Sequence, residues 1–261
     1  METLACFPDD PADHDRYELI IVNDGSTDGD TLAILKEVEE KGLRVVHQRN
    51  QGLSSARNTG ISAARGRYIL PLDSDDKISL AFIYEATDIL DADPTYTVVY
   101  SDGEYFDAKT GPWIVGEFNL QRLMLWNYMH AAAVFRKEAW EQAGGYDANL
   151  NYLGFEDWDL WLAIAFSGGK FYYLPKPFFS YRITENSMVR QFTGETYAKM
   201  LAYIRTKWSA YLSREHLTER LAINMRLNKR LWFKLFLRIY FPKYLFRLAR
   251  KGRIDTPHVF Y

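Results

Sequence analysis

Asp73, Ser74 and Asp75 place two carboxylates two residues apart at the end of an apolar run, Tyr68–Leu72. On an extended backbone, residues i and i+2 face the same side, so both could meet one cation, or a cation and a sugar hydroxyl. Hard oxygen ligands in a site shared with phosphates suit Mg²⁺ or Mn²⁺. The same residues also read as a solvated acidic turn, with Asp76 or Ser79 capping the next helix. Asp24, in Asp24-Gly25-Ser26-Thr27-Asp28, is a second carboxylate where a run ends. It reads either as a turn and cap or as an acceptor for a nucleobase N–H. Arg57 follows the polar loop Asn50-Gln51-Gly52; its donor fork could hold a diphosphate or pair with nearby acids. Glu156 and Asp157 open a helix, where they complement its dipole or supply a general base. His130 lies in Leu123–Phe135, 13 positions without a charge, and reads as a packed or hydrogen-bonded core residue before a ligand.

The first half alternates short apolar runs with amphipathic stretches. Tyr17–Val22, Leu43–His47, Tyr68–Leu72 and Tyr96–Tyr105 read as strands. Thr31–Glu40, Leu53–Arg65 and Leu80–Leu90 read as helices, with Gly42 and Gly66 closing the first two. Pro71 fits poorly in a central strand because it donates no ladder hydrogen bond. Such alternation predicts an α/β fold on a parallel sheet, and in such sheets ligands sit beyond the carboxyl ends of the strands. Asp24 and Asp73–Asp76 both lie at such ends. Further on, Leu120–Tyr128, Lys137–Ala143 and Glu156–Ser167 read as helices, and the chain from Lys199 onward is almost wholly helical.

With 48% apolar and 25% charged residues, the 261-residue chain is composed as a globular protein, which excludes disorder and collagen-like repeats. One cysteine, Cys6, makes neither an internal disulfide nor a cysteine zinc site. The 13-residue uncharged stretch is short of the roughly 18 residues a spanning helix needs, and the acidic N-terminus has no signal-peptide pattern. The net charge of −2 hides a gradient: residues 1–110 carry −12, residues 111–199 carry −1 and residues 200–261 carry +11. A basic C-terminal surface calls for an anionic partner. Arg230, Lys234 and Arg238 recur every four residues among Leu231, Trp232, Leu235, Phe236 and Ile239, the pattern of an interfacial helix. No base-reading motif accompanies them, so nucleic acid is not the expected partner.

Val22-Asn23-Asp24-Gly25-Ser26-Thr27-Asp28, Asn50-Gln51-Gly52 through Ala56-Arg57-Asn58, Leu70-Pro71-Leu72-Asp73-Ser74-Asp75-Asp76 and Glu156-Asp157 occur in this order and at these intervals. The combination resembles the family 2 glycosyltransferases with the GT-A fold, over roughly Tyr17 to Arg190. The resemblance implies that Asp24 contacts the base of a nucleotide-sugar and that Arg57 lies near its diphosphate. Asp73 would approach the ribose and donor sugar, Asp75 would hold Mn²⁺ or Mg²⁺, and Asp157 would deprotonate the acceptor hydroxyl. Glu156, His130 and Trp158 are candidates for the acceptor side. Three features depart from the family. No apolar strand precedes Tyr17, so Met1–Phe7 is expected to be the tail of the family's first helix, with the strand before it absent. Tyr181-Arg182-Ile183-Thr184 stands where Tyr-Arg-x-His is common. The Gln-x-x-Arg-Trp motif of processive members is missing, which favours single-sugar transfer.

The expectation is therefore a GT-A catalytic domain over 1–198, with a nucleotide-sugar half at 17–107 and an acceptor half at 108–198, followed by a basic helical extension over 199–261. Its activity would be inverting, metal-dependent transfer of one sugar to a glycan or lipid-linked acceptor in cell-surface polysaccharide assembly. The protein would be cytoplasmic, held on an anionic membrane surface through 222–253. The alternatives are a non-catalytic membrane-peripheral protein that retains the fold, and a nucleotidyltransferase.

Overall fold

The computed structural model describes residues 2–7, 16–151, 154–184, 193–213, 233, 236–237 and 240–250. Leu4–Cys6 forms one 3₁₀ turn. The chain then alternates β1 (Ile20–Asp24), α1 (Gly29–Glu40), β2 (Arg44–Gln48), α2 (Leu53–Ala63) and β3 (Tyr68–Ile69). Asp28 starts α1 by accepting the backbone N–H of Thr31 at 2.9 Å. The first strand begins three residues into its apolar run and ends two residues beyond it, through Asn23 and Asp24. These polar residues find partners in the ladder: the Asn23 amide meets His47 Nδ1 at 3.0 Å, and Gln48 donates to Asp24 at 2.7 Å. The third strand stops at Ile69, before Pro71, which has no N–H to donate.

β4 (Lys77–Ile78), α3 (Leu80–Ala92), β5 (Tyr96–Asp107), β6 (Gly111–Trp113), α4 (Leu120–Leu125), β7 (Val134–Arg136), α5 (Lys137–Ala143), α6 (Glu156–Phe166) and β8 (Lys170–Ile183) follow. The strands form a six-stranded sheet of order β3-β7-β5-β8-β4, with β6 also on β5. β1 and β2 pair separately. The two sheets share no ladder among the described residues. The two long ladders, β1 with β2 and β5 with β8, are parallel, and the short ones are antiparallel.

β8 has no counterpart in the sequence reading, and Pro175 and Pro177 locally disfavour a strand. The ladder accommodates them at a register shift: Ser101 faces Leu174 and Asp102 faces Pro177. Val98, Val99, Phe82, Phe135, Leu160 and Trp161 are buried in the core between the sheet and its helices.

Beyond β8 come α7 (Gly194–Lys207), α8 (Ser209–Leu212) and α9 (Pro242–Arg250). Helix α7 runs through position 198, the expected end of the catalytic domain. Lys207 and Trp208 reach back to the buried carboxylate of Asp159 on α6, at 2.7 and 2.8 Å. Leu245 and Phe246 of α9 are buried, with the Phe246 ring 5.8 Å from that of Tyr197 on α7, while Lys243, Tyr244 and Arg247 stay exposed. The stripe Arg230, Lys234, Arg238 lies outside the described residues.

Candidate active site

Three segments distant in sequence meet at one pocket: α2 with Arg57, the loop after β3 with Asp73 and Asp76, and the start of α6 with Glu156 and Asp157. Asn127, His130, Trp113 and Tyr181 line its other side. The loop to α2 packs closely against the turn after β1 and against Asn151. A Cβ on Gly25 (φ +74°) would stand 2.6 Å from Asn50 N, and one on Gly52 (φ +88°) would stand 2.6 Å from Asn151 Cβ. Asn58 then ties α2 to the turn after α5, donating to the Tyr146 carbonyl and accepting from its N–H, both at 2.8 Å.

Arg57 is the centre of the site. Its guanidinium donates to Glu156 through Nη1 and to Asp73 through Nη2, the latter at 2.6 Å. The Tyr146 ring lies 5.4 Å from its central carbon. Burial opposes its charge, but Asp73 and Glu156 more than offset this and hold its pKa above the usual value. Sequence left two readings of Arg57, a diphosphate ligand or a partner of nearby acids; in this structure it pairs with acids.

Gly154 (φ +70°) and Phe155 (φ +65°) are both left-handed just before α6. For a non-glycine residue this costs about 1–3 kcal/mol, and the turn it makes sets the direction in which Glu156 and Asp157 leave the helix. Asp157 receives the Asn127 amide at 3.0 Å on each oxygen, and the Trp158 N–H at 2.8 Å. Burial, then the charge of Glu156, pushes its pKa up to about 7, with Asn127 and Arg57 pulling the other way. A carboxyl poised there can take a proton near neutral pH.

The acidic loop behaves as a set of like charges. Asp76 is buried, and burial followed by the charge of Asp73 raises it to about 8, although it accepts the Arg182 N–H at 2.9 Å. Asp75 stays exposed, but partial loss of hydration and then Asp73 raise it as well. Thr3 closes over this loop, donating to the carbonyls of Ser74 or Asp76, each at 2.7 Å. Among the described residues no three His, Cys, Asp or Glu side chains are arranged to hold an ion by themselves. One or two carboxylates completed by substrate phosphates is the usual way Mg²⁺ is held. Asp75 and Asp73, two carboxylates two residues apart on one loop, fit that mode.

The remaining expected site residues divide. Asp24 lies outside the pocket lining and accepts from Gln48, Gln51 N and Gly52 N at 2.7–2.8 Å, which orders the loop leading to α2. His130 is in the lining; its Nε2 bonds the Ser101 carbonyl at 3.0 Å and its ring stacks on Phe179 at 4.3 Å. Burial lowers its pKa to about 4, so it is a neutral wall at pH 7. Trp158, expected on the acceptor side, is turned away from the pocket. It is buried, its indole N–H goes to the Leu123 carbonyl at 2.6 Å, and it does not line the pocket. The helical period turns residue 158 inward when residue 157 faces the pocket.

Sequence reasoning missed Asn127, Arg182 and the Lys207–Asp159 tie. Arg182 joins the Asp75 carbonyl, Asp107 and Glu2 at 2.8–3.0 Å. Only the Tyr181-Arg182 pair carried a local signal, and it was read for the histidine that it lacks.

The family model for glycosyl transferase family 2 matches residues 3–145. Chondroitin synthase of Escherichia coli is 30% identical over 155 residues, 57% of this chain and 22% of that protein. An uncharacterized glycosyltransferase of Bacillus subtilis, EpsJ, is 49% identical over 72 residues, 27% of this chain and 21% of that protein. The chain thus spans about a fifth of the length of these curated relatives. Among solved structures, S. aureus TarS in complex with UDP-GlcNAc aligns with a TM-score of 0.64 at 18% identity, over 98% of this chain and 84% of that one. The mannosyltransferase PcManGT of Pyrobaculum calidifontis, in complex with GDP-Man and Mn²⁺, aligns at 0.55 and 19% identity, over 96% and 82%. At such identities the structures establish the GT-A fold. The sequence match, which extends over more than half of the chain and takes in Asp24, Arg57 and Asp73–Asp76, establishes the rest: the chain belongs to glycosyltransferase family 2.

Proposed function

We propose that this chain transfers a single sugar, with inversion, from a nucleoside diphosphate sugar to a hydroxyl of a glycan or lipid-linked acceptor. What supports it above all is the meeting of Arg57, Asp73, Glu156 and Asp157 in one pocket from three distant segments. Asp157 takes the proton of the acceptor hydroxyl. The freed oxygen bonds to the anomeric carbon as the bond to the diphosphate breaks, and attack opposite the leaving group inverts that carbon. Arg57 fixes Asp73 on the donor side against Glu156 on the acceptor side, so the two halves of the site keep one spacing. Asp75 and Asp73 are the residues that would hold Mn²⁺ or Mg²⁺, which supplies charge stabilisation to the departing diphosphate when bound. Asp24 serves the nucleotide end by ordering the Asn50–Gly52 loop, and neutral His130 shapes the acceptor end.

The catalytic unit in this proposal extends past 198 to about Leu212, because α7 and Trp208 brace α6. Phe241 and Tyr244 are about half exposed beside the exposed Lys243 and Arg247, a mixture suited to the interface of an anionic membrane. The attachment proposed is peripheral, on the cytoplasmic face, with cell-surface polysaccharide as the product; no described helix is long and apolar enough to cross a membrane.

The test is incubation with a panel of nucleotide-sugars and Mn²⁺, scoring the released product. Nucleoside diphosphate supports glycosyl transfer. Pyrophosphate would indicate nucleotidyl transfer, and no release from any donor would indicate a binding protein.

A further inference from the structure

Asn127 stands in the irregular stretch between α4 and β7, thirty positions before Asp157. Its Nδ2 lies 3.0 Å from Oδ1 and 3.0 Å from Oδ2 of that carboxylate. Its own Oδ1 is buried and has no hydrogen-bond partner among the described residues. An amide used as structural glue has both ends satisfied, because an orphaned buried acceptor costs free energy. Turning this amide over would not help, since its oxygen would then face the carboxylate oxygens. The side chain therefore leaves one group unmet while committing the other wholly to Asp157.

We infer that Asn127 is a positioning residue for Asp157, its amide N–H₂ fixing both the direction and the charged form of the carboxylate that accepts the acceptor's proton. This rests on the proposed glycosyl transfer and deepens it. A hydrogen bond to the charged form favours that form. The other groups facing Asp157 come from every side of the pocket. Glu156 on its own helix disfavours its ionisation, and Arg57 on α2 favours it. Tyr146, in the turn after α5, and Tyr181, on β8, are neutral phenols whose pKa values burial raises further. Among the described residues Asn127 is thus the side-chain donor that touches both oxygens, and it works against Glu156 together with Arg57 and the Trp158 N–H. It also accounts for the fork geometry: two equal contacts hold the plane of the carboxylate, where a single contact leaves it free to turn.

The experiment uses the full chain carrying ¹³C-labelled aspartate and compares it with Asn127→Leu and Asn127→Asp. Asp157→Asn identifies the resonance of Asp157. Losing a hydrogen bond to a charged group should move the Asp157 titration midpoint up by about one pH unit in Asn127→Leu. The second carboxylate in Asn127→Asp should move it further. In turnover of the best nucleotide-sugar from the panel, Asn127→Leu should lose about fivefold at pH 7 and recover to near parity at pH 9, the ratio of ionised fractions for a one-unit shift. The affinity for UDP with Mn²⁺ should stay as in the parent chain. An unmoved Asp157 midpoint in both variants overturns the inference, as does a loss equal at pH 7 and pH 9, which marks a merely structural residue. If Asn127→Leu does not fold, Asn127→Asp, nearly identical in shape, decides by the same two readouts. A parent chain that turns over no donor sinks the proposed transfer instead, while the carboxyl titration still judges whether Asn127 controls Asp157.

Discussion

Replacing Arg57 with Met should destabilise the protein by about 3–5 kcal/mol, the usual cost of removing one partner from a buried ion pair. The structure places the effect mainly on Glu156. Arg57 and Glu156 have side chains 9% and 7% exposed, whereas Asp73 is 38% exposed and can turn to water. Met fills much of the same volume, so packing contributes little and the stranded Glu156 carboxylate carries the loss. For a chain of this size the loss corresponds to a fall in Tm of about 6–20 °C. A double-mutant cycle isolates the pair. Adding Glu156→Gln removes the stranded charge, and the Arg57→Met, Glu156→Gln variant should recover about 1–3 kcal/mol over simple addition of the two losses. Urea unfolding at pH 7.5, with the midpoint read at an unchanged m value, measures each corner. If Arg57→Met costs less than about 1 kcal/mol, or if the two losses add within about 0.5 kcal/mol, Arg57 does not hold Glu156 in the folded protein and its role as the tie across the site is refuted.

Asp157→Asn should lower turnover by about 10²–10⁴ and leave nucleotide affinity unchanged; a parallel fall in affinity would make Asp157 a donor-binding residue. With Mn²⁺ and UDP each at about a hundredfold over its dissociation constant, the protein should gain about 2.7 kcal/mol for each ligand bound. Asp75→Asn should lose the metal's part, and an equal Mn²⁺-dependent gain in that variant would place the metal elsewhere. Asp76 titrates near 8 in the folded chain against an ordinary 3.8, so the folded state keeps its proton longer and stability falls as pH rises between those values. Asp76→Asn should remove that fall, worth up to about 1.4 kcal/mol per pH unit, and urea midpoints at pH 5 and 7.5 that track the parent's would show Asp76 to be ionised throughout. Reversing the charge at Lys243 and Arg247, both to Glu, should weaken binding to phosphatidylserine liposomes, since each cation at such a surface contributes about 1 kcal/mol; undiminished sedimentation with the liposomes would locate the contact on another surface.

Much of the donor side was legible in the residues themselves. Strand ends, turns and caps are local events, set by Pro71, Gly25, Gly52 and Asp28 and by the spacing of their apolar neighbours. The elements α1, α2, α3 and α5 and the carboxylates at the end of β1 and after β3 therefore stand close to where their patterns put them. Arg57 could be singled out by type and position, but its partner could not. Choosing between a diphosphate and Glu156, 99 residues away, depends on which helix the fold brings opposite α2.

The acceptor side belongs to the tertiary structure. β8 is held as a strand by β5, which offers it eleven paired positions, and by β4 on its other side, and a register shift takes up Pro175 and Pro177, whose local preference is against it. Trp158 and Asp157 are adjacent in sequence yet project in different directions around α6, one into the core and one into the pocket, once the helix is docked. Asn127 lies in a stretch with no period, and its two bonds to Asp157 exist because the loop after α4 passes over the start of α6. The residues of the sequence determined which groups could carry charge and protons and where the chain would turn. The long-range pairing decided which of those groups lose water, and loss of water together with a neighbour's charge is what moves Asp76, Asp157 and His130 away from their ordinary ionisation.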